Sequence, residues 1–392
     1  MRYLIGMDNG GTFTKAALFD ETGKQISVGS VTTNTLTPRS GWMERDMDEL
    51  WEANAAAIRE AITASGIDPK DIAGISFSGH GKGLYALDKD GRPVYNGIAS
   101  TDTRAWAYEK KWNTDGTADA SYPKICMRPL YMQPSCLLAW LKDHEPEAYS
   151  RIRYVFSIND YVRFRMTGEA AADITIASGG GLVNMYTADW DRSLTEAYGI
   201  PEIFDALPPL KYSAEVCGTV TAEASEKTLL PEGTPVACGM FDVDACGIAS
   251  GLSDNSKICM IAGTWSINEF ISPEPVLNNP GGLNSIFCIP GYYLLEQSSP
   301  TSAGNMEWFV RNLMSYERKE ASENGSSVYD LTNKWVEELE PQDDECVFLP
   351  FLNGSNEEAL ARGTFIGLTA YHTKKHMLRA VYEGIVFSHL TH

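Results

Sequence analysis

Residues 3–7 form a short apolar run that breaks at Asp8-Asn9-Gly10-Gly11-Thr12, and a second run, 15–20, stops at Glu21-Thr22-Gly23-Lys24. Apolar runs of this length, bounded by Gly-rich clusters, predict two strands joined by a tight turn. Between 46 and 64 the positions Leu50, Trp51, Ile58, Ala61 and Ile62 recur at helical spacing, with Asp46 or Asp48 as the cap and Ser65-Gly66 as the stop. A buried strand at 72–77 leads into Ser78-Gly79-His80-Gly81-Lys82-Gly83, and another at 84–87 turns at Asp88-Lys89-Asp90-Gly91. Further helices are expected at 134–144 and 157–166. In the second half, a strand at 257–261, a turn at Ala262-Gly263-Thr264 and a returning strand at 265–271 repeat the pattern of the N-terminus. The stretch 236–251, small and apolar apart from Asp242 and Asp244, reads as a junction between domains. The polar stretch 320–327 reads as a surface connection.

Composition narrows the class. A chain of 392 residues is too long for one ordinary core and suits two domains. With 43% hydrophobic and 21% charged residues it is globular, which excludes disorder as the dominant state. Asp plus Glu number 52 against 32 Lys plus Arg, a net charge of −20, so a nucleic-acid partner is not expected. An anionic small ligand needs local help from backbone amides, a helix N-terminus or Mg²⁺. The 8 cysteines contain no CxxC pair, which argues against zinc-ribbon or thioredoxin chemistry, and most read as buried free thiols. The first eight residues meet an acid too early for a signal peptide, and no apolar run is long enough for a membrane span. A cytoplasmic protein is expected.

The turn Asp8–Lys15 carries the first candidate chemistry. Gly10 and Gly11 admit a phosphate close to the backbone, Thr12 and Thr14 offer hydroxyls, Lys15 adds charge and Asp8 can hold Mg²⁺ through water. An ordinary Gly-rich hairpin explains the same residues equally well. Neither a P-loop nor a dinucleotide fingerprint fits, because no GxxxxGK[ST] is present and the turn leads into a strand. Gly263-Thr264-Trp265-Ser266 offers similar chemistry, and two such hairpins facing each other would clamp a polyphosphate. Asp242 reads either as a helix N-cap or as a general base that takes a proton from a hydroxyl nucleophile. Asp102 and Arg104 read either as a surface ion pair or as a polyol-recognising pair. His372 and His376 are four residues apart with no evident third ligand, and read as surface residues.

Together these pieces resemble the FGGY family of carbohydrate kinases, in the actin/hexokinase/Hsp70-like superfamily. Gly363-Thr364-Phe365-Ile366-Gly367-Leu368, then seven residues, then His376-Met377-Leu378-Arg379-Ala380-Val381-Tyr382-Glu383-Gly384, looks like the family's C-terminal signature. The segment around Trp140-Leu141-Lys142-Asp143-His144-Glu145-Pro146-Glu147 resembles the other signature, except that Leu137 stands where a Lys is expected. Ser40-Gly41-Trp42-Met43-Glu44-Arg45-Asp46 also looks like a family segment. The resemblance implies a two-domain, actin-like (ribonuclease H-like) α/β ATPase fold with an interdomain cleft. Residues 1–248 would bind the sugar and 249–392 the nucleotide.

It also implies roles. Asp8, Gly10, Gly11, Thr12, Thr14 and Lys15 would form the first phosphate motif, with Asp8 toward the metal. Gly263 and Thr264 would form the second, and Gly304 would lie in the helix start near the nucleotide. Asp242 would be the catalytic base, and His80, Gly81, Lys82, Asp102 and Arg104 would contact sugar, as would Asp242. The expected reaction is transfer of the γ-phosphate of ATP, with Mg²⁺, to a hydroxyl of a ketopentose. Asp-Asn-Gly-Gly-Thr, Gly-His-Gly-Lys-Gly and 351–356 look most like the L-xylulose kinase branch. Family members usually continue for about a further domain's worth of residues, so a truncated second domain is expected here. The rival readings are a sugar-binding pseudokinase without transfer activity and a Rossmann dehydrogenase. A small sugar is the expected partner, and a homodimer is left open.

Overall fold

The computed structural model describes residues 2–263, 266–278, 281–340, 345–352, 354 and 361–391. The chain separates into two compact units. The first comprises Met1–Ser253, Ile271–Leu277 and Leu283–Leu294, and the second Asp254–Phe270, Asn278–Gly282 and Leu295–His392.

Unit 1 is built on a seven-stranded mixed sheet. The first two strands, β1 (Tyr3–Asn9) and β2 (Phe13–Asp20), form the expected hairpin, each running two residues further into the turn than the apolar pattern reaches. A third strand, β3 (Gln25–Thr32), continues the hairpin and is absent from the sequence reading. Polar and apolar residues alternate in it and most of it faces solvent, Ile26 and Val28 included, so no apolar run announces it. What holds it is helix α1 (Met47–Ser65), which lies so close that a Cβ on Gly29 would sit 2.1 Å from the Ala57 carbonyl oxygen. Ser27 also donates to the Ala61 carbonyl at 2.6 Å. α1 begins where Asp46 accepts the Glu49 amide and ends on Gly66 at φ 68°.

Strand β4 (Ile72–Gly79) runs parallel to β1, and helices α2 (Pro134–His144) and α3 (Ile158–Thr167) follow. α3 starts with a capping box between Ser157 and Asp160. Strands β5 (Val216–Thr219) and β6 (Pro235–Ala237) complete one edge, in the order β5, β6, β4, β1, β2, β3. A short strand, β7 (Met240–Phe241), also pairs with β4 and runs into helix α4 (Asp242–Ala249). The main core joins Ile5, Met7, Leu50, Trp51, Ile75 and Phe77. A second core gathers Leu84, Trp112, Leu137, Leu138 and Trp140. Each large apolar side chain so buried contributes about 1.5–3 kcal/mol.

Unit 2 opens with the hairpin of β8 (Cys259–Ala262) and β9 (Ser266–Ser272), whose paired residues 259–262 and 266–269 lie in this unit while Ile271 and Ser272 belong to unit 1. Helices α5 (Ala303–Leu313), α6 (Ser315–Glu323) and α7 (Val328–Glu337) follow, then the ladder of β10 (Val347–Leu349) with β11 (Thr364–Ile366) and the long helix α8 (Lys374–Thr391). Met306, Phe309, Phe348, Leu378 and Val381 are the heart of its core. The expectation of a plain connection at 320–327 is corrected, because its first half is the end of α6. Glu, Lys and Ala are strong helix formers, and their polarity decides exposure, not conformation. Cys246 is exposed and Cys288 half-buried, and the remaining cysteines are buried, none of the eight in a disulfide among the described residues. Among the described residues no helix is long and apolar enough to cross a membrane.

Candidate active site

Three parallel strands of unit 1 end side by side. Asp8 and Asn9 of β1 pair with Ser78 and Gly79 of β4, and Met240 and Phe241 of β7 pair with the same two residues from the other side. The next residue along each strand is Gly10, His80 and Asp242. Adjacent strands lie about 4.8 Å apart, so sheet geometry alone gathers the turn, the histidine and the acid at one carboxyl edge. In α/β sheets that edge is where ligands bind.

The row is stitched from behind by Asn159 of α3. Its Oδ1 accepts the Asn9 side-chain amide at 3.1 Å and its Nδ2 donates to the Met240 carbonyl at 3.2 Å, so one buried side chain spans β4. Gly79 makes the crossing possible, since a Cβ there would lie 2.4 Å from Asn159 Oδ1. Thr175 adds a hydroxyl that accepts the Phe241 amide at 2.9 Å. Neither residue stood out in the sequence. The capping box ahead of Asn159 was the available signal.

The first turn is held by its own backbone. The Gly10 amide donates to Phe13 O at 3.1 Å, the Thr33 amide donates to Thr12 O at 3.0 Å, and Arg45 donates to the Gly11 carbonyl. Gly11, Thr12 and Lys15 are exposed. Thr14 is not: it is buried, with its hydroxyl 3.1 Å from Asn54 Oδ1 and 3.4 Å from Asn9 Oδ1, so it braces the turn from inside. Asp8 is half-buried, and desolvation raises its pKa against the opposing pull of Lys15 and Ser78.

A pocket of about 550 Å³ opens beside the turn, lined by Gly11, Thr12, Thr35, Thr37, Met43, Arg45, His80 and 99–101. His80 Nδ1 lies 3.2 Å from Gly81 O and Nε2 3.5 Å from the Tyr85 hydroxyl, which assigns the proton to Nδ1. Desolvation pushes its pKa down to about 4, against the Gly81 carbonyl and with Arg45 and Lys82 adding to the depression, so the ring is neutral near pH 7. Gly81 passes so near Phe241 that a Cβ would lie 2.7 Å from the ring, and Lys82, at φ 62°, holds Nζ 4.9 Å from the same ring's centroid. Gly81 and Lys82 thus wrap the residue that precedes Asp242. Asp242 is half-buried at the first position of α4, with Phe241 as the cap, so the N-cap reading is corrected. Asp244 is fully buried and accepts the Cys288 amide at 2.8 Å.

Asp102 and Arg104 are neither a surface pair nor pocket-lining. Both are buried, and the Asp102 carboxylate accepts Arg104 N at 2.8 Å, Nε at 2.9 Å and Nη2 at 2.8 Å, and the Met43 amide at 2.6 Å. Arg104 also reaches Glu44 at 2.8 Å, and its guanidinium carbon lies 4.1 Å from the Trp42 ring centroid and 5.0 Å from that of Trp140. Four donors saturate the carboxylate. The pair therefore fixes the wall behind the pocket, where Glu44 and Arg45 pair with Ile98 and Gly97.

In unit 2, Gly263 is exposed and its carbonyl accepts the Ala303 amide at 2.8 Å, while Thr264 lies outside the described residues. Gly304 is the second residue of α5. Ser266 is buried with its hydroxyl 2.9 Å from His389 Nδ1, which also meets Asn268 Oδ1 at 2.7 Å. His389, unremarked in the sequence, thus pins the base of the second turn to α8. Among the described residues no group of three or more His, Cys, Asp or Glu is placed to hold a metal. His372 and His376 instead accept the Thr369 and Thr373 amides at 3.0 and 3.1 Å.

Two family models cover this framework. Residues 3–248 match the N-terminal domain of the FGGY family of carbohydrate kinases, and 258–391 match its C-terminal domain. The chain belongs to the FGGY family of carbohydrate kinases. It is similar to a probable L-xylulose kinase of Pasteurella multocida, at 38% identity over 100% of this chain and 79% of that protein. It is equally similar to the L-xylulose/3-keto-L-gulonate kinase of Escherichia coli, at 38% over 100% of this chain and 76% of that one. Among solved structures, the xylulose kinase from Rhodospirillum rubrum superposes with a TM-score of 0.87 at 26% identity, covering 100% of this chain and 78% of that one. The FGGY chain is thus a sugar kinase of the xylulose kinase type, a phosphotransferase with the two-domain mixed α/β fold of its family.

Proposed function

We propose that this kinase phosphorylates a hydroxyl of L-xylulose or of a closely related keto sugar, with Asp242 as the base. The observation that supports the reading is the row of Gly10, His80 and Asp242 at the ends of three parallel strands. Asp242 takes the proton of the sugar hydroxyl as that oxygen attacks the terminal phosphorus of ATP. Neutral His80 and the hydroxyls of Ser100 and Thr101 orient the sugar. The Gly11 and Thr12 amides and the Thr12 hydroxyl receive phosphate oxygens. The E. coli relative's name carries both a neutral ketose, L-xylulose, and an acid, 3-keto-L-gulonate, and these are the two candidate substrates.

The donor set near the first turn fits Mg²⁺ held by phosphate and water, with the half-buried Asp8 carboxylate as the protein's contribution, since this ion keeps several waters. When bound, Mg²⁺ would neutralise charge on the phosphates. Residues 1–248 carry the sugar-binding role in this reading and 249–392 the nucleotide-binding role. A coupled ADP-release assay with a panel of ketoses tests it. Asp242→Asn should lower turnover by about 10²–10⁴-fold while calorimetric sugar binding persists. Near-normal turnover in this variant would remove Asp242 from the mechanism, and sugar binding without ADP release in the wild type would mean a sensor.

A further inference from the structure

Arg45 is a buried cation at the wall of the pocket, 3% exposed. Its Nη1 donates to Thr33 Oγ1 at 2.8 Å and to the Asn34 carbonyl at 3.1 Å, and Nη2 donates to the Gly11 carbonyl. Those partners are neutral, and Nε has none. The acid beside it in sequence, Glu44, is engaged by Arg104 at 2.8 Å. The other buried arginines, Arg104 and Arg163, each have a carboxylate at 2.8 Å, whereas among the described residues Arg45 forms no ion pair. A guanidinium taken out of water without a counter-charge is costly, and a pocket that holds one gains most from a ligand that brings the anion.

The rest of the lining says which anion. Thr12, Thr35, Thr37, Ser100 and Thr101 supply hydroxyls, and no lining residue is Asp or Glu. Hydroxyls around one cation match a polyhydroxy carboxylate. The overall charge of −20 would otherwise repel such a ligand, so a local cation is required.

We propose that Arg45 is the charge-reading residue of this pocket, binding the carboxylate of a sugar acid and thereby extending the site from neutral ketoses to keto sugar acids. This rests on the sugar-kinase reading of the same pocket. Arg45 also touches the first turn through Gly11, so a phosphoryl group is the competing anion.

The test needs no turnover. Wild type, Arg45→Gln and Arg45→Lys are titrated calorimetrically with L-gulonate, with the neutral six-carbon polyol sorbitol, and with inorganic phosphate. Arg45→Gln should weaken gulonate by about tenfold or more, with a far smaller change for sorbitol, and Lys should restore part of the loss. Equal losses for gulonate and sorbitol, unchanged gulonate binding, or a loss confined to phosphate would each overturn the proposal. If the Gln variant does not fold, Arg45→Lys decides, since it keeps the charge but loses the planar fork and should still weaken gulonate selectively. A wild type that binds gulonate through Arg45 but releases no ADP with any ketose would sink the kinase reading and leave this one standing.

Discussion

Gly79→Ala, alone and combined with Asn159→Ala, probes the stitch behind the active-site row. A Cβ at residue 79 would meet Asn159 Oδ1 at 2.4 Å, with Asn9 Cβ at 3.0 Å. Overpacking of this kind costs about 1–3 kcal/mol. Asn159→Ala leaves the buried Asn9 amide without its partner, at about 1–3 kcal/mol, and the part-buried Met240 carbonyl without its donor, at less. With Ala at 159 the oxygen that obstructs residue 79 is gone, and only the softer contact with Asn9 Cβ remains. The cost of Gly79→Ala should then fall below about 1 kcal/mol, a coupling of roughly 1–2 kcal/mol. Because the chain has two units, the measurement should be local: urea-dependent hydrogen exchange of peptides covering β4, for the wild type, both single variants and the double. Additivity within about 0.5 kcal/mol would refute the claim that Asn159 is what forbids a side chain at 79.

Three further outcomes follow from the geometry. Asp102→Asn should destabilise unit 1 by about 1–3 kcal/mol in thermal or urea unfolding, because it removes one of the two carboxylates of the buried Arg104 and leaves Glu44 as its counter-charge; a variant of normal stability with only a raised sugar KM would return Asp102 to the substrate. Thr12→Val should raise the KM for ATP more than that for sugar, whereas Thr14→Val, at a buried hydroxyl, should show mainly as lost stability; the reverse pattern would exchange their roles. His80, depressed from 6.5 to about 4 by burial and then by Arg45 and Lys82, binds its proton in the unfolded chain first, so stability should fall as the pH drops from about 6.5 toward 4. Melting temperatures at pH 7 and pH 5 check this against His80→Asn, which should lose less over the same interval.

What the sequence determined by itself is local. The first hairpin, α1 with its Asp46 cap and Gly66 stop, α2, and the turn Asp8–Lys15 were legible because period, caps and glycines act over a few residues. So was Asp242 as an isolated acid after an apolar strand, although its place at the first helical position was not. The resemblance to carbohydrate kinases rested on such short segments as well. Tertiary structure alone decided which polar residues are open at the candidate site and which are held inside. Arg104 finds Glu44 across 60 residues, and Asn159 finds Asn9 across 150, distances over which no periodicity carries information. Thr12 and Thr14 look alike in the chain. One is exposed in a turn, and the other is buried at the start of a strand against Asn54 of α1, so only Thr12 is open to solvent. β3 alternates polar and apolar residues and exposes even Ile26 and Val28, so no apolar run marks it and packing on α1 sets its conformation, while in the helical half of 320–327 polarity reports exposure and helix propensity sets the conformation. Arg45 shows the limit most clearly. In sequence it is one charge beside another, and only the fold gives Glu44 to Arg104 and leaves Arg45 buried at the pocket wall.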